Sequence, residues 1–206
     1  MREVVYVVLV DGKTIRVLPQ EREKNQGPTG LERVGKLVED HAVFAVAEHV
    51  GHVAVQQAIP MAHVLLTAAN PLAGMVASVA LASRSIESDK TIGVLSVDQA
   101  GVRKETLDKC EREFDASGKD AGYPAAGGQA GYPVYLSPAG RERLASMPDG
   151  DLLRAVRADE SLAQLAIACR DVGIYLDLGS PESRRQAQAQ LAHDAPGIER
   201  RPPPAG

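Results

Sequence analysis

The chain has no tryptophan, two phenylalanines and only 3% aromatic residues, so it is poorly supplied with the stacking platforms that hold single-stranded bases. Positive charge is not in excess either. Its 23 Lys and Arg stand against 27 Asp and Glu, a formal net charge of −4, which argues against a general nucleic-acid binder. Two cysteines, Cys110 and Cys169, are too few for a disulfide framework and fit a reducing, cytoplasmic setting. Met1-Arg2-Glu3-Val4-Val5-Tyr6 runs straight into a strand pattern, without the basic region, apolar stretch and small-residue cleavage site of a signal peptide. A phosphate-cradling Gly-x-x-x-x-Gly-Lys-Ser/Thr loop, a dinucleotide fingerprint, a Gly-x-Ser-x-Gly elbow, a Cys-x-x-Cys pair and an EF-hand loop are missing as well.

What is present suits a water-soluble body. The 206 residues are 44% hydrophobic and 24% charged, near globular averages, and can bury the core of one domain. No Asp, Glu, Lys or Arg occurs between Gln56 and Ser83, and the most apolar part of that stretch, 64–83, is about long enough to cross a bilayer. Asn70-Pro71 in its middle, and the Ala, Ser and Gly around it, make it a buried core segment instead, and no membrane span is expected.

Residues 3–18 read as a β-hairpin, with Asp11-Gly12 as a type I′ turn between an almost wholly apolar first arm and an alternating second arm. Thr29-Gly30-Leu31-Glu32 is a capping box that opens a helix with the stripe Leu31, Val34, Leu37 and Val38. The 41–58 segment mixes both periodicities, with a strand favoured at 42–47 and a helix from about Val53. Asn70-Pro71 starts a helix over 70–88, with a large-residue stripe (Leu72, Val76, Val79, Ile86) and a small-residue line (Gly74, Ser78, Ala82). A helix with two such faces is sandwiched, in a core or between subunits, so self-association through 70–88 is expected.

Thr91 to Val97 reads as a buried strand ending at Asp98, and roughly 102–114 as a charged helix whose Leu107, Cys110 and Phe114 share a face. Residues 120–133 repeat Ala-Gly-Tyr-Pro and read as a flexible Gly-rich loop. A short strand at 134–136, a Ser137-Pro138 helix start, one or two helices over 151–171, a strand over 172–178 and a last helix from Ser180 complete the order. The expected fold is one α/β or α+β domain over 1–198, with a mixed sheet of about four to six strands packed with helices. A disordered Pro-rich tail follows at 199–206.

Three groups of residues invite a chemical reading. His41, His49, His52 and His63 are four of the five histidines and fall within one short stretch. On a helix, His49 and His52 at i, i+3 share a face, and His41 or His63 completes a three-nitrogen site for a divalent metal with an open position, with Asp98 or Glu48 as general base. Held apart, they are isolated polar residues. Asp98 and Asp177 follow expected strands, where carboxylates of an open sheet contact ligands. Ile92 to Asp98 has the form of the apolar strand plus Asp found in phosphate-binding ATPases, but the phosphate loop is absent. Gly127-Gly128-Gln129 matches the tripeptide that peptidyl-tRNA hydrolysing release factors present on a loop, without the basic patch that docking on RNA requires. The expectation from these readings is a non-catalytic homo-oligomeric or partner-binding module. A metal-dependent, hydrolase-like enzyme using the clustered histidines is the alternative.

Overall fold

In the computed structural model, residues 3–11, 30–99 and 101–176 are described. They form an α/β domain around a mixed sheet of eight strands, more than the four to six expected. Strand β1 (Val4–Val10) is buried along its whole length. Both of its edges are taken by parallel partners, β2 (Ala42–Glu48) and β4 (Thr91–Ser96). The expected hairpin therefore does not form on β1, since no edge is left for an antiparallel second arm; residues 13–18 themselves lie outside the described residues. The apolar character of the first arm has the cause inferred for it, cover on both faces.

Beyond β2 lies β3 (His63–Thr67), also parallel. On the other side β4 pairs antiparallel with β7 (Val134–Leu136), which pairs with β5 (Ala121–Ala126). Strand β5 pairs in turn with β6 (Gln129–Ala130) and, in parallel, with β8 (Gln164–Ala168). The order is β3-β2-β1-β4-β7-β5-β6, with β8 alongside β5.

Alternate residues of β1 feed two cores. Tyr6, Val8 and Val10 meet α1 (Gly30–Leu37), α2 (His52–Ala58) and α4 (Lys104–Ser117). Val5, Val7 and Leu9 meet α3 (Met75–Ser83) and α6 (Leu152–Ala158). The stripe Leu31, Val34, Leu37 and Val38 is buried as read, and so are Leu107, Cys110 and Phe114. Burial pushes the Cys110 thiol up to about 12, which makes it an inert core group.

The uncharged middle of the chain is divided between β3, an edge strand with no fully buried residue, and α3, whose Met75, Val76, Ser78, Val79 and Ala82 are buried. The helix starts at Met75, not Asn70, because Asn70 turns the chain instead: its Oδ1 accepts from the Leu72 amide at 2.9 Å. Val76, Ser78, Val79 and Ala82 are buried inside this one chain, so the packing of both lines needs no second copy. No helix among the described residues is long and apolar enough to cross a membrane. Arg141, on the short helix α5 (Pro138–Arg143), gathers the chain after α3. Its guanidinium donates to the carbonyls of Ser83, Ile86, Glu87 and Lys90, satisfying acceptors that a helix end leaves open.

Three segments differ from expectation. Residues 121–126 and 129–130 are strands joined by Gly127-Gly128, whose φ of +58° and +84° build a tight hairpin turn where a flexible loop was read. Residues 164–168 are a strand because β5 offers them a parallel edge, and 172–175 are a 3-10 turn, not a strand. The final helix and the tail lie outside the described residues.

Beneath the sheet a polar network crosses the core. Tyr6 Oη donates to Glu111 Oε1 at 2.5 Å and lies 3.1 Å from Tyr135 Oη, while His41 Nε2 donates to Glu111 Oε2 at 3.4 Å. Gly93 sits between the two tyrosines in the sheet, and a Cβ there would lie 2.7 Å from the Tyr6 ring. Burial pushes the Glu111 carboxyl up, but the hydrogen bonds from His41 and Tyr6 outweigh it, and its pKa falls below the ordinary glutamate value. A depressed folded pKa stabilises the fold above the unfolded value of about 4.3, and that stability is lost as pH falls through the folded value. Tyr6→Phe is expected to cost about 1–3 kcal/mol in urea unfolding at pH 7. Glu111→Gln is expected to flatten the decline in stability between about pH 5 and pH 3; an unchanged slope counts against the network.

Candidate active site

The connections from β1 to β2 and from β3 to β4 leave β1 on opposite sides. Such a divergence opens a crevice at the C-terminal ends of the two central strands, where open α/β sheets bind ligands. Asp11 closes β1 there and is buried. Strand β4 ends at Ser96 and passes into a 3-10 turn, Val97–Gln99, which carries Asp98. Ser96 Oγ accepts from the Asp98 amide at 3.2 Å, which fixes the turn while the Asp98 side chain is half-buried at the rim. Asp98 is thus a strand-end carboxylate, as its sequence position implied. Asp177 lies outside the described residues. The chain leading to it does not: Leu176 packs beside Gly101, three residues beyond Asp98.

The rim is held by carboxylates used structurally. Asp171, 4% exposed, accepts from the amides of Gly173 and Arg103, each at 2.9 Å, and ties the 172–175 turn to the loop after Asp98. The two backbones there are so close that a Cβ on Gly173 would strike the Gly101 carbonyl. Asp149 Oδ1 accepts from the Ala77 amide at 3.2 Å, and the Gly150 carbonyl accepts from Val76, so a distant turn caps α3. Asp151 caps α6 through the Arg154 amide at 2.7 Å and accepts from Tyr132 Oη at 3.1 Å. Tyr132 was noticeable only as a contact residue of the 120–133 loop, and none of Asp149, Asp151 and Asp171 stood out in the sequence. The only available signal was the cap-like Asp149-Gly150-Asp151 run, and the partners of these groups are remote in the chain.

The histidines do not gather. His49 follows β2 and His52 opens α2, both at the C-terminal edge of the sheet. His63 begins β3 beside Phe44, its ring stacked 4.9 Å from that ring. Five residues of strand separate the levels of Phe44 and His49, roughly 16 Å. His41 points into the Glu111 network. Among the described residues no group of three or more His, Cys, Asp or Glu can hold a metal ion. The three-nitrogen site from His49, His52 and His63, and with it the histidine-based hydrolase, is therefore corrected: His49 and His52 lie past the C-terminal end of β2, and His63 lies at the opposite end of the sheet.

A parallel core in the order 3-2-1-4, with a half-buried carboxylate at its switch point, defines an open α/β domain with its crevice at the C-terminal strand ends. The chain belongs to the family of MobA-like NTP transferase domains, whose model matches residues 23–166. Its fold is similar to that of a 4-diphosphocytidyl-2C-methyl-D-erythritol synthase, at 17% identity and a TM-score of 0.67 over 93% of this chain and 100% of that one. It is similar to Rv0371c of Mycobacterium tuberculosis in a complex with manganese, at 19% identity and a TM-score of 0.66 over 90% and 97%. Molybdopterin-guanine dinucleotide biosynthesis protein A from Archaeoglobus fulgidus is similar at 15% identity and a TM-score of 0.62 over 92% and 99%. No curated protein matches the sequence significantly. Membership of a transferase family overturns the expectation of a non-catalytic binding module. That expectation rested on the two-faced 70–88 segment and on the lack of a convincing catalytic set, neither of which separates a binding module from a member of this family.

The rim depends on Asp171, so Asp171→Ala is expected to cost about 1–3 kcal/mol, because the buried Gly173 amide and the part-buried Arg103 amide lose their acceptor. Hydrogen exchange at Arg103 and Gly173 is expected to accelerate together. Independent behaviour of the two amides would show that the carboxylate does not join the segments.

Proposed function

We propose that this protein is a nucleotidyltransferase that binds a nucleoside triphosphate at the C-terminal ends of β1 and β4 and passes the nucleotidyl group to an acceptor. The observation that carries this reading is the family match over residues 23–166, which includes Asp98 at the crevice. In such a reaction an acceptor oxygen attacks the α-phosphorus, the bond to the bridging oxygen of the β-phosphate breaks, and pyrophosphate leaves. Most of the demand on the protein is alignment and compensation of negative charge.

The donor set suits a hard divalent cation. Magnesium-type ions use one or two carboxylates plus substrate phosphates, so they need no protein group of three ligands, and the described residues offer none. Asp98 is the carboxylate assigned to that ion, with Asp177, the other carboxylate singled out in the sequence, as the second. When bound, the ion neutralises charge on the triphosphate oxygens. Residues 12–29 follow β1 directly and carry Lys13, Arg16, Arg22 and Lys24, cations suited to the β- and γ-phosphates. Nucleoside triphosphates are reagents of the cytoplasm, which supports a cytoplasmic location.

A panel of α-labelled nucleoside triphosphates with magnesium or manganese, and a small-molecule extract as acceptor source, tests the reading through label transfer and pyrophosphate release. Asp98→Asn is expected to lower the rate by ~10²-fold or more with an unchanged melting temperature. Transfer that survives this substitution at full rate would remove Asp98 from the site.

A further inference from the structure

Strand β3 is the last strand on its side of the sheet, and no described residue pairs with its outer edge. Such an edge offers a row of backbone donors and acceptors, which proteins ordinarily guard with Lys, Pro or a bulge. His63-Val64-Leu65-Leu66-Thr67 has no Lys or Pro, and it pairs with β2 in unbroken register, without a bulge. Its surroundings are as bare of charge. From His49 to Ser83 the chain contains no Asp, Glu, Lys or Arg, and α2, the turn after it and β3 all lie in that stretch. Among the described residues the exposed large hydrophobic side chains are Val53, Met61, Leu66 and Leu81, all from the same stretch. Three of them belong to this edge, where α2 packs beside β3: Val53 on α2 is 63% exposed, Met61 in the turn 87% and Leu66 on β3 45%. Apolar groups gathered at an open edge, in a chain that is 24% charged, mark an association surface.

The strand's own pattern selects the occupant. From either end it reads polar, apolar, apolar, apolar, polar. With a second copy laid antiparallel about a two-fold axis at Leu65, His63 stands opposite Thr67 of the other copy, Val64 opposite Leu66, and Leu65 opposite its own counterpart. Every pair joins like with like, and each side chain keeps its face of the sheet. The same axis sets α2 of the two copies side by side, with Met61 of one at the end of the sheet that carries Val53 of the other. A two-fold contact places one patch against itself, so charge near the axis would meet its own kind; this segment supplies none, in a chain of net charge −4. We infer that the protein forms a two-fold dimer by antiparallel pairing of β3 with β3 of a second copy, flanked by Val53 and Met61. The α3 helix, whose large and small lines are buried within one chain, is not the contact. Strand β2 separates β3 from the crevice strands β1 and β4, so the crevice stays open in both copies.

Sedimentation velocity of the full chain, from micromolar to high micromolar concentration, tests this. A dimer is expected. Leu66→Lys and, separately, Met61→Lys are expected to weaken it about tenfold or more at an unchanged melting temperature, because each side chain already stands in water in the single copy while its charge would face an apolar partner edge in the dimer. Leu81→Lys, at an exposed position on α3, is expected to leave the dimer intact. A monomer throughout the range, or a dimer indifferent to both edge variants, would overturn the inference. A dimer lost in Leu81→Lys and kept in the edge variants would return the contact to α3 and overturn it equally. Amide hydrogen exchange within 63–67 is expected to slow as the concentration rises through the dimer midpoint; exchange independent of concentration would overturn the strand pairing.

Discussion

Strand β1 has both edges hydrogen-bonded and both faces covered, so every other element has to be arranged around it. Its seven consecutive buried residues give each helical layer an apolar floor, α1, α2 and α4 on one side and α3 and α6 on the other. Parallel neighbours cannot be reached by a tight turn, so the chain has to cross over helices, and the two crossovers diverge at β1. The crevice is the geometric result of that divergence. It places Asp11 and Asp98 at adjacent strand ends without any special loop motif.

Polar groups then fix what the apolar layers leave adjustable. Glu111, His41, Tyr6 and Tyr135 pin α4 across the β1 and β7 strands. Arg141 satisfies the carbonyls that follow α3 and steers the chain into β4. Asp171 joins the two loops beside Asp98, and Asp149 caps α3 from seventy-two residues away. Each of these groups is engaged structurally, and together they make a rigid rim beside Asp98. A site that aligns a triphosphate with an acceptor benefits from such support, because small misplacements are costly in rate.

The elements that could be read from the sequence are those whose local pattern agrees with their surroundings. An uninterrupted apolar run at 4–10 fits only a strand covered twice, and the stripe at Leu31, Val34, Leu37 and Val38 fits only a one-sided helix. Asp11-Gly12 misled because a strong local turn signal says nothing about whether the edge of β1 is free; residues 42–48 and 91–96, remote in sequence, occupy it. Ala121-Gly122-Tyr123-Pro124 has poor intrinsic strand character, yet it is held between β7 and β8, with Phe114 packed so closely on Gly122 that a Cβ would lie 2.5 Å from the ring. Gln164 to Ala168 has no period that separates strand from helix, and the β5 edge decides it. At the site, Asp98 was legible as the end of an apolar strand. The histidines drew notice by closeness in sequence, which a parallel sheet converts into distance.

Family membership supplies the class of reaction, and the geometry supplies a place for it. Hydrogen–deuterium exchange of the full chain with and without a magnesium nucleoside triphosphate tests that pairing most directly. The account predicts protection concentrated at the C-terminal ends of β1 and β4, in the segments around Asp11 and Val97–Arg103. Protection confined to the opposite edge of the sheet, around His41 and His63, or its complete absence at millimolar nucleotide, would contradict it.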